Sequence, residues 1–150
     1  TIIGNGPEID LLKNYIIGNS LEKFVDIFSN ATDDFLINQY KSNDLFILAN
    51  LMLDNGDCEG APNVLIEAAA FGLPTIAGEE GGTSDVVDNN NTGILLDPRD
   101  NKNLANTIIQ LMEDKQKLVQ MGKKGFYKAN NMHSKEIAGR NFSNVLKNLN

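Results

Sequence analysis

The sequence contains no tryptophan, one cysteine and one histidine, and it lacks any long uninterrupted hydrophobic run. A single cysteine, Cys58, cannot form an intramolecular disulfide, and one cysteine with one histidine excludes an ordinary zinc site built from those ligands. No stretch approaches the roughly eighteen consecutive apolar residues of a membrane-spanning helix, so none is predicted. With 41 % hydrophobic and 22 % charged residues in 150, the composition is that of one globular domain.

Basic charge is scarce in the first two thirds of the chain. Residues 1–97 carry three lysines against sixteen acidic side chains, whereas residues 98–150 carry ten basic and four acidic ones. The formal net charge of the whole chain is −7. Because nucleic-acid-binding domains usually present a basic face, we expect no nucleic-acid partner. The lysines of the last third are spaced as on the solvated surface of helices.

Short apolar runs alternate with amphipathic segments along the chain, which predicts an α/β fold with a mostly parallel sheet and helices on both faces. Strands are predicted at 1–3, 24–28, 45–48, 75–77 and 93–96. Helices are predicted at 8–18, 33–42 and 62–71, as a short turn from Val86, and over roughly 101–114, 115–129 and 134–148. The apolar run 45–48 predicts a strand buried on both faces. We expect residues 101–150 to form a helical C-terminal extension of a single domain.

The most informative segment lies between residues 59 and 74. Pro62 suits the first turn of a helix and Gly72 suits its end. Because the residues between them are apolar nearly all round, we expect this helix to be buried. Asn63 and Glu67 interrupt the apolar pattern, and since they are four residues apart they share one face of the helix.

A helix that begins just after a strand-end loop is a ready anion site, because its first N–H groups, here those of Asn63 and Val64, precede the intrahelical ladder. Glu67, one turn further in, could accept hydrogen bonds from sugar hydroxyls, and Glu59 stands at the mouth of the helix. These features predict a phosphorylated, polyhydroxylated ligand. The alternative is that Glu67 pairs with a distant lysine and that Glu59 merely caps the helix.

Glu59 and Glu67 lie eight residues apart in the run EGAPNVLIEAAAFGLPTIA, which resembles the E-x7-E motif of retaining GT-B glycosyltransferases, in particular glycosyltransferase family four. Four further segments resemble motifs of that family and follow its order: IIGNGPE from Ile2, YKSNDLFIL from Tyr40, GGTSDVV from Gly81 and TGILL from Thr92. The resemblance covers about residues 1–148.

The resemblance implies a Rossmann-like donor-binding domain, the C-terminal half of a GT-B fold. Its partner would be a nucleoside diphosphate sugar, bound without a metal or other cofactor. A hexosyl unit would pass with retention to a saccharide or lipid-linked acceptor, in polysaccharide or glycoconjugate biosynthesis. The implied location is cytoplasmic, with a peripheral position at the inner membrane face as an alternative.

Site residues can be carried over from the resemblance position by position. Glu59 would be the catalytic residue that contacts the donor sugar, and Glu67 would bind the ribose hydroxyls. Ser29 and Asn30, which follow the second strand, would lie near the base. The other donor-binding positions that the resemblance implies are Gly4, Gly6, Gly60, Ala61, Pro62, Asn63, Val64, Gly81, Gly82 and Thr83.

The sequence also departs from the pattern of the family. Glycine is frequent where Pro62 stands, and Asp85 replaces the usual glutamate. In the family a central strand, a helix and a basic pair that neutralises the diphosphate precede the segment that begins here at Thr1. We therefore expect a partial donor domain with exposed strand edges. It would depend on an N-terminal acceptor domain and be inactive alone.

Other readings of the sequence stay open beside the transferase. A GT-B sugar-nucleotide epimerase and a non-catalytic nucleotide-sugar-binding fragment are the main alternatives. A dinucleotide fingerprint at the glycines from Gly4 is incomplete, because Ile9 occupies the place of its third glycine. Metal ligation by Asp54 and Asp57 is a further alternative, although the family that the sequence resembles is generally metal-independent. Nucleophilic action by Cys58 would lack a histidine nearby in the sequence to activate it.

Overall fold

A computed structural model describes residues 1–52, 56, 60–132 and 137. The chain divides into two compact units, an N-terminal unit of residues 1–41 and a C-terminal unit from residue 42 onward. Each unit contributes its own parallel sheet, with β1–β2 in the first and β3–β4–β5 in the second. The predicted Rossmann-like α/β class is therefore confirmed.

The N-terminal unit contains β1 (Ile2–Ile3), α1 (Ile9–Gly18), β2 (Ile27–Phe28) and α2 (Asp33–Ser42), which ends at the boundary. In its parallel sheet Ile2 lies opposite Ile27 and Ile3 opposite Phe28. The predicted strand at 24–28 is wrong in its first half. The carbonyl of Leu21 accepts the N–H groups of Phe24 and Val25, which holds those residues in a turn.

The C-terminal unit contains the remaining elements. They are β3 (Phe46–Leu48), α3 (Asn63–Ala70), β4 (Thr75–Gly78), α4 (Thr83–Val86), β5 (Gly93–Leu96), α5 (Asn101–Glu113) and α6 (Lys115–Met132). Its sheet has the order β3–β4–β5, with both pairs parallel. The carboxyl ends of all three strands therefore lie at one edge, where ligands of such sheets bind.

The core of the C-terminal unit consists of two hydrophobic clusters that share the central strand β4. One cluster contains Ile76, Leu96, Leu111, Leu118 and Met121. The other contains Leu65, Ala77, Val86 and Val87. Because Ile76 and Ala77 are consecutive, their side chains point to opposite faces of β4. Helices thus cover this strand on both faces, and all four of its residues are buried.

Two expectations of burial are wrong. Strand β3 is not buried on both faces, since Ile47 is 40 % exposed and belongs to neither core cluster, while Phe46 and Leu48 pack against one of them. Helix α3 buries Leu65 and Ala68 but leaves other apolar side chains, such as that of Val64, exposed. An apolar pattern all round a helix does not reveal that only one face meets the sheet.

Helix α3 ends at Ala70, just before the glycine that the sequence predicts at its end, and the conformation of Gly72 explains why. Gly72 has φ +78°, a left-handed conformation that glycine adopts without a steric penalty. Its N–H donates to Ala69 O at 2.8 Å, and the N–H of Leu73 donates to Ala68 O at 3.0 Å. These two bonds form a Schellman motif, which satisfies the last carbonyls of the helix.

The helical turn predicted from Val86 onward lies earlier in the structure, at Thr83–Val86. Bonds from Asp85 N to Gly82 O and from Val87 N to Thr83 O close that turn. Helix α6 continues to Met132, three residues beyond its predicted end. The helix predicted at 134–148 lies outside the described residues, apart from residue 137.

Candidate functional site

The connections that follow β3 and β4 are bonded to each other through the side chain of Asn50. Its Oδ1 accepts the N–H of Gly78 at 3.2 Å, and its Nδ2 donates to Glu80 O at 3.3 Å. A Cβ on Gly78 would collide with the backbone carbonyl of Asn50. The chain after β3 therefore lies directly against the end of β4, an approach that only glycine permits at this position.

A second contact joins the same two connections closer to α3. The N–H of Gly82 donates to Gly60 O at 3.1 Å, and a Cβ on Gly82 would stand 2.7 Å from that oxygen. The predicted donor-binding residues Gly60 and Gly82 are thus brought together, backbone against backbone. The resemblance had placed them in separate motifs, and the structure makes them neighbours.

The side chain of Thr83 is fully buried and forms part of the loop. Its hydroxyl lies 2.7 Å from Gly78 O and 3.2 Å from Glu80 O, and it donates to these carbonyls. The predicted contact of Thr83 with a donor stays a prediction. Because the whole residue is buried, Thr83 shapes the loop from inside rather than forming part of its accessible surface.

The start of α3 presents backbone N–H groups in the way that the sequence predicts. Pro62 is buried and is the N-cap residue, so α3 begins at Asn63, one residue later than predicted. Leu65 N donates to Pro62 O at 3.1 Å. The amides of Asn63 and Val64 therefore precede the intrahelical ladder. The positive end of the helix dipole favours an anion at this place.

Glu67 lies one turn into α3, on the same face as Asn63, and both residues are exposed. The expectation of a helix buried around these polar side chains is wrong for this face. Exposure removes the desolvation cost that a buried carboxylate would carry. The Glu67 side chain therefore lies on a solvent-facing surface one turn into the helix.

A charged network at this edge of the sheet was not found from the sequence. Arg99, just after β5, places Nη1 2.5 Å from Glu80 Oε1 and donates from Nη2 to Met52 O at 3.1 Å. The N–H of Met52 in turn donates to Glu80 Oε2. Counting cations only in residues 1–97 misses Arg99, although a residue directly after β5 is expected at the same edge as Glu80.

The electrostatics of Glu80 follow from these contacts. The hydrogen bond from Arg99 and then the N–H of Met52 lower the pKa of Glu80 below its ordinary value of 4.5. The Glu80 carboxylate raises the pKa of Arg99 in return. Both side chains are exposed enough that solvent screens the ion pair, so its role is to fix a geometry more than to add stability.

In the N-terminal unit, four predicted donor-binding residues follow the two strands. Gly4 N donates to Phe28 O at 3.0 Å, which brings the ends of β1 and β2 together. Gly4 and Gly6 line a cavity of about 340 Å³. Ser29 is half-buried and Asn30 is exposed, and neither contributes to the lining of that cavity.

Several candidates lie outside the described residues: Asp54, Asp57, Cys58 and Glu59. The catalytic assignment of Glu59 therefore stays a prediction. Within the part of the chain that is described, no group of three or more histidine, cysteine, aspartate or glutamate side chains could hold a metal ion. The described helices also include none that is long and apolar enough to cross a membrane.

Comparison with known proteins gives a family match over most of the chain. Residues 1–127 match the family described as glycosyl transferases group 1. An amylovoran biosynthesis glycosyltransferase, AmsK of Erwinia amylovora, is 29 % identical over 99 % of this chain. A GDP-mannose-dependent α-(1-6)-phosphatidylinositol monomannoside mannosyltransferase of Mycobacterium tuberculosis is 30 % identical over 83 % of it.

Solved structures share the fold. HepE of Anabaena, crystallised with UDP-glucose, superposes with a TM-score of 0.83 at 22 % identity over 97 % of this chain. The pneumococcal O-GlcNAc transferase GtfA, crystallised with UDP and GlcNAc, gives 0.77 at 23 % identity over 99 %. At these identities the likeness shows the fold alone.

The chain covers only part of each of these proteins. It spans 37 % of the length of the Erwinia relative and 32 % of the mycobacterial one. It spans 40 % of HepE and 29 % of GtfA. The family match nevertheless extends over five-sixths of this chain and includes all the loops described above. The chain belongs to the glycosyl transferases group 1 family.

Proposed function

We propose that this chain is the donor-binding domain of a retaining glycosyltransferase that takes a hexosyl unit from a nucleoside diphosphate sugar. The observation that carries the proposal is the junction of two loops at the start of α3, where Gly82 N bonds to Gly60 O at 3.1 Å. Three residues after Gly60 the chain enters α3, whose first backbone amides precede the helix ladder and lie one turn from the exposed carboxylate of Glu67.

The diphosphate of the donor would lie at the start of α3. There the amides of Asn63 and Val64 and the positive end of the helix dipole would stabilise its negative charge. The charge on a leaving diphosphate grows in the transition state, so fixed dipoles aimed at it favour the reaction without reorganising. The hydrogen-bond donors proposed here are backbone N–H groups. They would bind the diphosphate whichever sugar is attached to it.

Glu67 would accept hydrogen bonds from the ribose hydroxyls. A carboxylate accepts from two neighbouring hydroxyls at once, and charge-assisted bonds of this kind are stronger than neutral ones. Glu67 lies one turn from the backbone amide of Asn63. This separation fits that between a diphosphate and the ribose that carries it. Glu59, outside the described residues, is proposed to contact the donor sugar.

The basic pair that would neutralise the diphosphate is proposed to come from a preceding segment of the donor domain. The acceptor, a saccharide or a lipid-linked saccharide, is proposed to bind an N-terminal acceptor domain. This part of the proposal is supported by the share of its relatives that the chain spans, 37 % for the Erwinia transferase. Retention, a role in polysaccharide or glycoconjugate biosynthesis, metal independence and a cytoplasmic or peripheral location belong to the same proposal. None of the proteins named above favours the epimerase alternative.

The experiment that tests the donor site is a calorimetric titration of the chain with UDP, GDP, UDP-glucose and GDP-mannose. We expect one of these nucleotides to bind, and Glu67→Ala to weaken binding by about tenfold to a hundredfold, the loss of one or two hydrogen bonds to a charged acceptor. Glu113→Ala, which removes an exposed carboxylate at the end of α5, is the matched control.

Circular dichroism establishes in parallel that each variant is folded. Binding that survives Glu67→Ala unchanged would contradict the assignment of this carboxylate. A folded chain that binds none of the four nucleotides would contradict the proposal that these residues suffice for donor binding.

A further inference from the structure

The connection between β3 and α3 is held near both of its ends by the connection that follows β4. Near its first end, Glu80 and Arg99 hold the peptide groups of Met52. Near its second end, the N–H of Gly82 holds the carbonyl of Gly60.

We propose that Glu80 and Arg99 act together as a clamp on Met52, and that this clamp positions the β3–α3 connection for donor binding. Glu80 and Arg99 are positioning residues in this account, since nothing places either of them on the donor. The link to donor affinity rests on the function proposed above, whereas the clamp itself is a property of the ligand-free chain.

The geometry of Met52 distinguishes a clamp from an ordinary surface ion pair. A single residue both donates its N–H to Glu80 and offers its carbonyl to Arg99. The guanidinium is a planar fork, so it can bond to a carboxylate and to a carbonyl at the same time. Both bonds involve a charged partner, which makes them stronger and more directional than neutral ones.

Arg99 is itself held in place by Asp97. Its backbone N–H donates to Asp97 Oδ1 at 2.9 Å, and the same carboxylate atom lies 3.6 Å from Nη1. On the opposite side, Glu80 belongs to the segment that Asn50 and Thr83 fix through its backbone carbonyl. The clamp therefore joins segments that follow three different strands, β3, β4 and β5.

The test compares Glu80→Gln, Arg99→Ala and the double variant with Lys128→Ala as a matched control. Lys128 forms another long-range ion pair in the same unit, with Asp88 at 2.7 Å, and does not touch Met52. Two quantities are measured: the hydrogen-exchange rate of the Met52 amide without ligand, and the affinity for the nucleotide that binds the unaltered chain.

We expect each single variant to speed exchange at Met52 and to weaken nucleotide affinity by about threefold to tenfold, the effect of a displaced loop without lost contacts. The double variant should be no worse than either single one, because the two side chains work as one unit. Lys128→Ala should leave both quantities unchanged. Unchanged exchange at Met52 in both single variants would overturn the clamp.

Arg99→Lys separates the clamp from the charge alone. It keeps the positive charge but loses the fork, so it should resemble Arg99→Ala. Recovery of wild-type exchange and affinity by Arg99→Lys would overturn the proposal. So would weaker binding in Arg99→Ala with normal binding in Glu80→Gln, because that result indicates that Arg99 meets the diphosphate directly. If the unaltered chain binds no nucleotide, the donor site fails and exchange at Met52 alone decides the clamp.

Discussion

In the C-terminal unit the strand-end loops rest on a packed core, whereas the N-terminal unit presents similar loops on little packing of its own. Within residues 1–41, all of them described, only Ile16 and Tyr40 are buried hydrophobic residues. Phe24 is 80 % exposed, and Leu11 and Tyr15 are nearly as open. The C-terminal unit instead buries its central strand between two clusters. The predicted site residues of the C-terminal unit therefore lie on the better-packed of the two scaffolds.

The glycines of the two units show the same contrast. Gly78 and Gly82 lie where another backbone fills the place of a side chain, so they are required by close approach. Around Gly4 and Gly6 an added Cβ would meet nothing within 4 Å. Glycine in the first pair serves the packing of loops against each other. In the second pair it leaves an open surface beside the strand end.

The largest expected difference between the units concerns side-chain truncation. Leu65→Ala removes a fully buried side chain from a core cluster and should lower the free energy of unfolding by about 2–5 kcal/mol. Leu11→Ala, the same change at a residue 67 % exposed, should stay within about 0.5 kcal/mol. Urea unfolding followed by circular dichroism measures both. Similar losses of unfolding free energy in the two variants would show that the exposed Leu11 stabilises the fold as much as the buried Leu65.

A smaller difference is expected when a methyl group is added at a strand end. Gly78→Ala forces the loop after β3 away from β4 and should destabilise the chain by about 1–3 kcal/mol, the cost of overpacking. Gly4→Ala meets open space and should change stability little. Thermal melts of the two variants side by side provide the measurement. A tolerated alanine at Gly78 would mean that the contact with Asn50 is not required for the fold.

The smallest effect is the pH dependence of the contacts of Glu80. Because the fold lowers the pKa of this carboxyl from its ordinary 4.5, the contacts stabilise the chain above that pH and are lost as pH falls through the lowered pKa. Glu80→Gln should therefore have a slightly lower melting temperature than the unaltered chain at neutral pH, and the difference should vanish once the pH falls below the lowered pKa of Glu80. A difference that persists unchanged in acid would contradict the ionised contact with Arg99.

How much the sequence predicts depends on the range of the interactions involved. Helix α2 was predicted with its observed bounds, Asp33–Ser42, and this is confirmed because local spacing and two aspartates in the first turn determine it. The end of α3 is a local matter too, settled by the conformation of Gly72. Elements of this kind carry their own signals in a few consecutive residues.

Interactions between distant segments left no such signal. The exposed face of α3 could not be foreseen, since the apolar pattern says nothing about which face the sheet covers. Arg99 meets Glu80 and Met52 across separations of 19 and 47 residues, and the contact of Gly82 with Gly60 likewise requires two strands to be in register. The motifs predict which residues belong to the site, and the structure shows how the described ones contact one another.

We propose that the start of α3 and the loop at Gly82 together form the nucleotide-binding surface. Hydrogen exchange of the chain, compared with and without the nucleotide that binds best in the titration, tests this arrangement. We expect protection to rise at the amides of Asn63, Val64 and Gly82, with smaller changes in α5. Binding that leaves these three amides unprotected, or that protects only amides in α5 and α6, would contradict it.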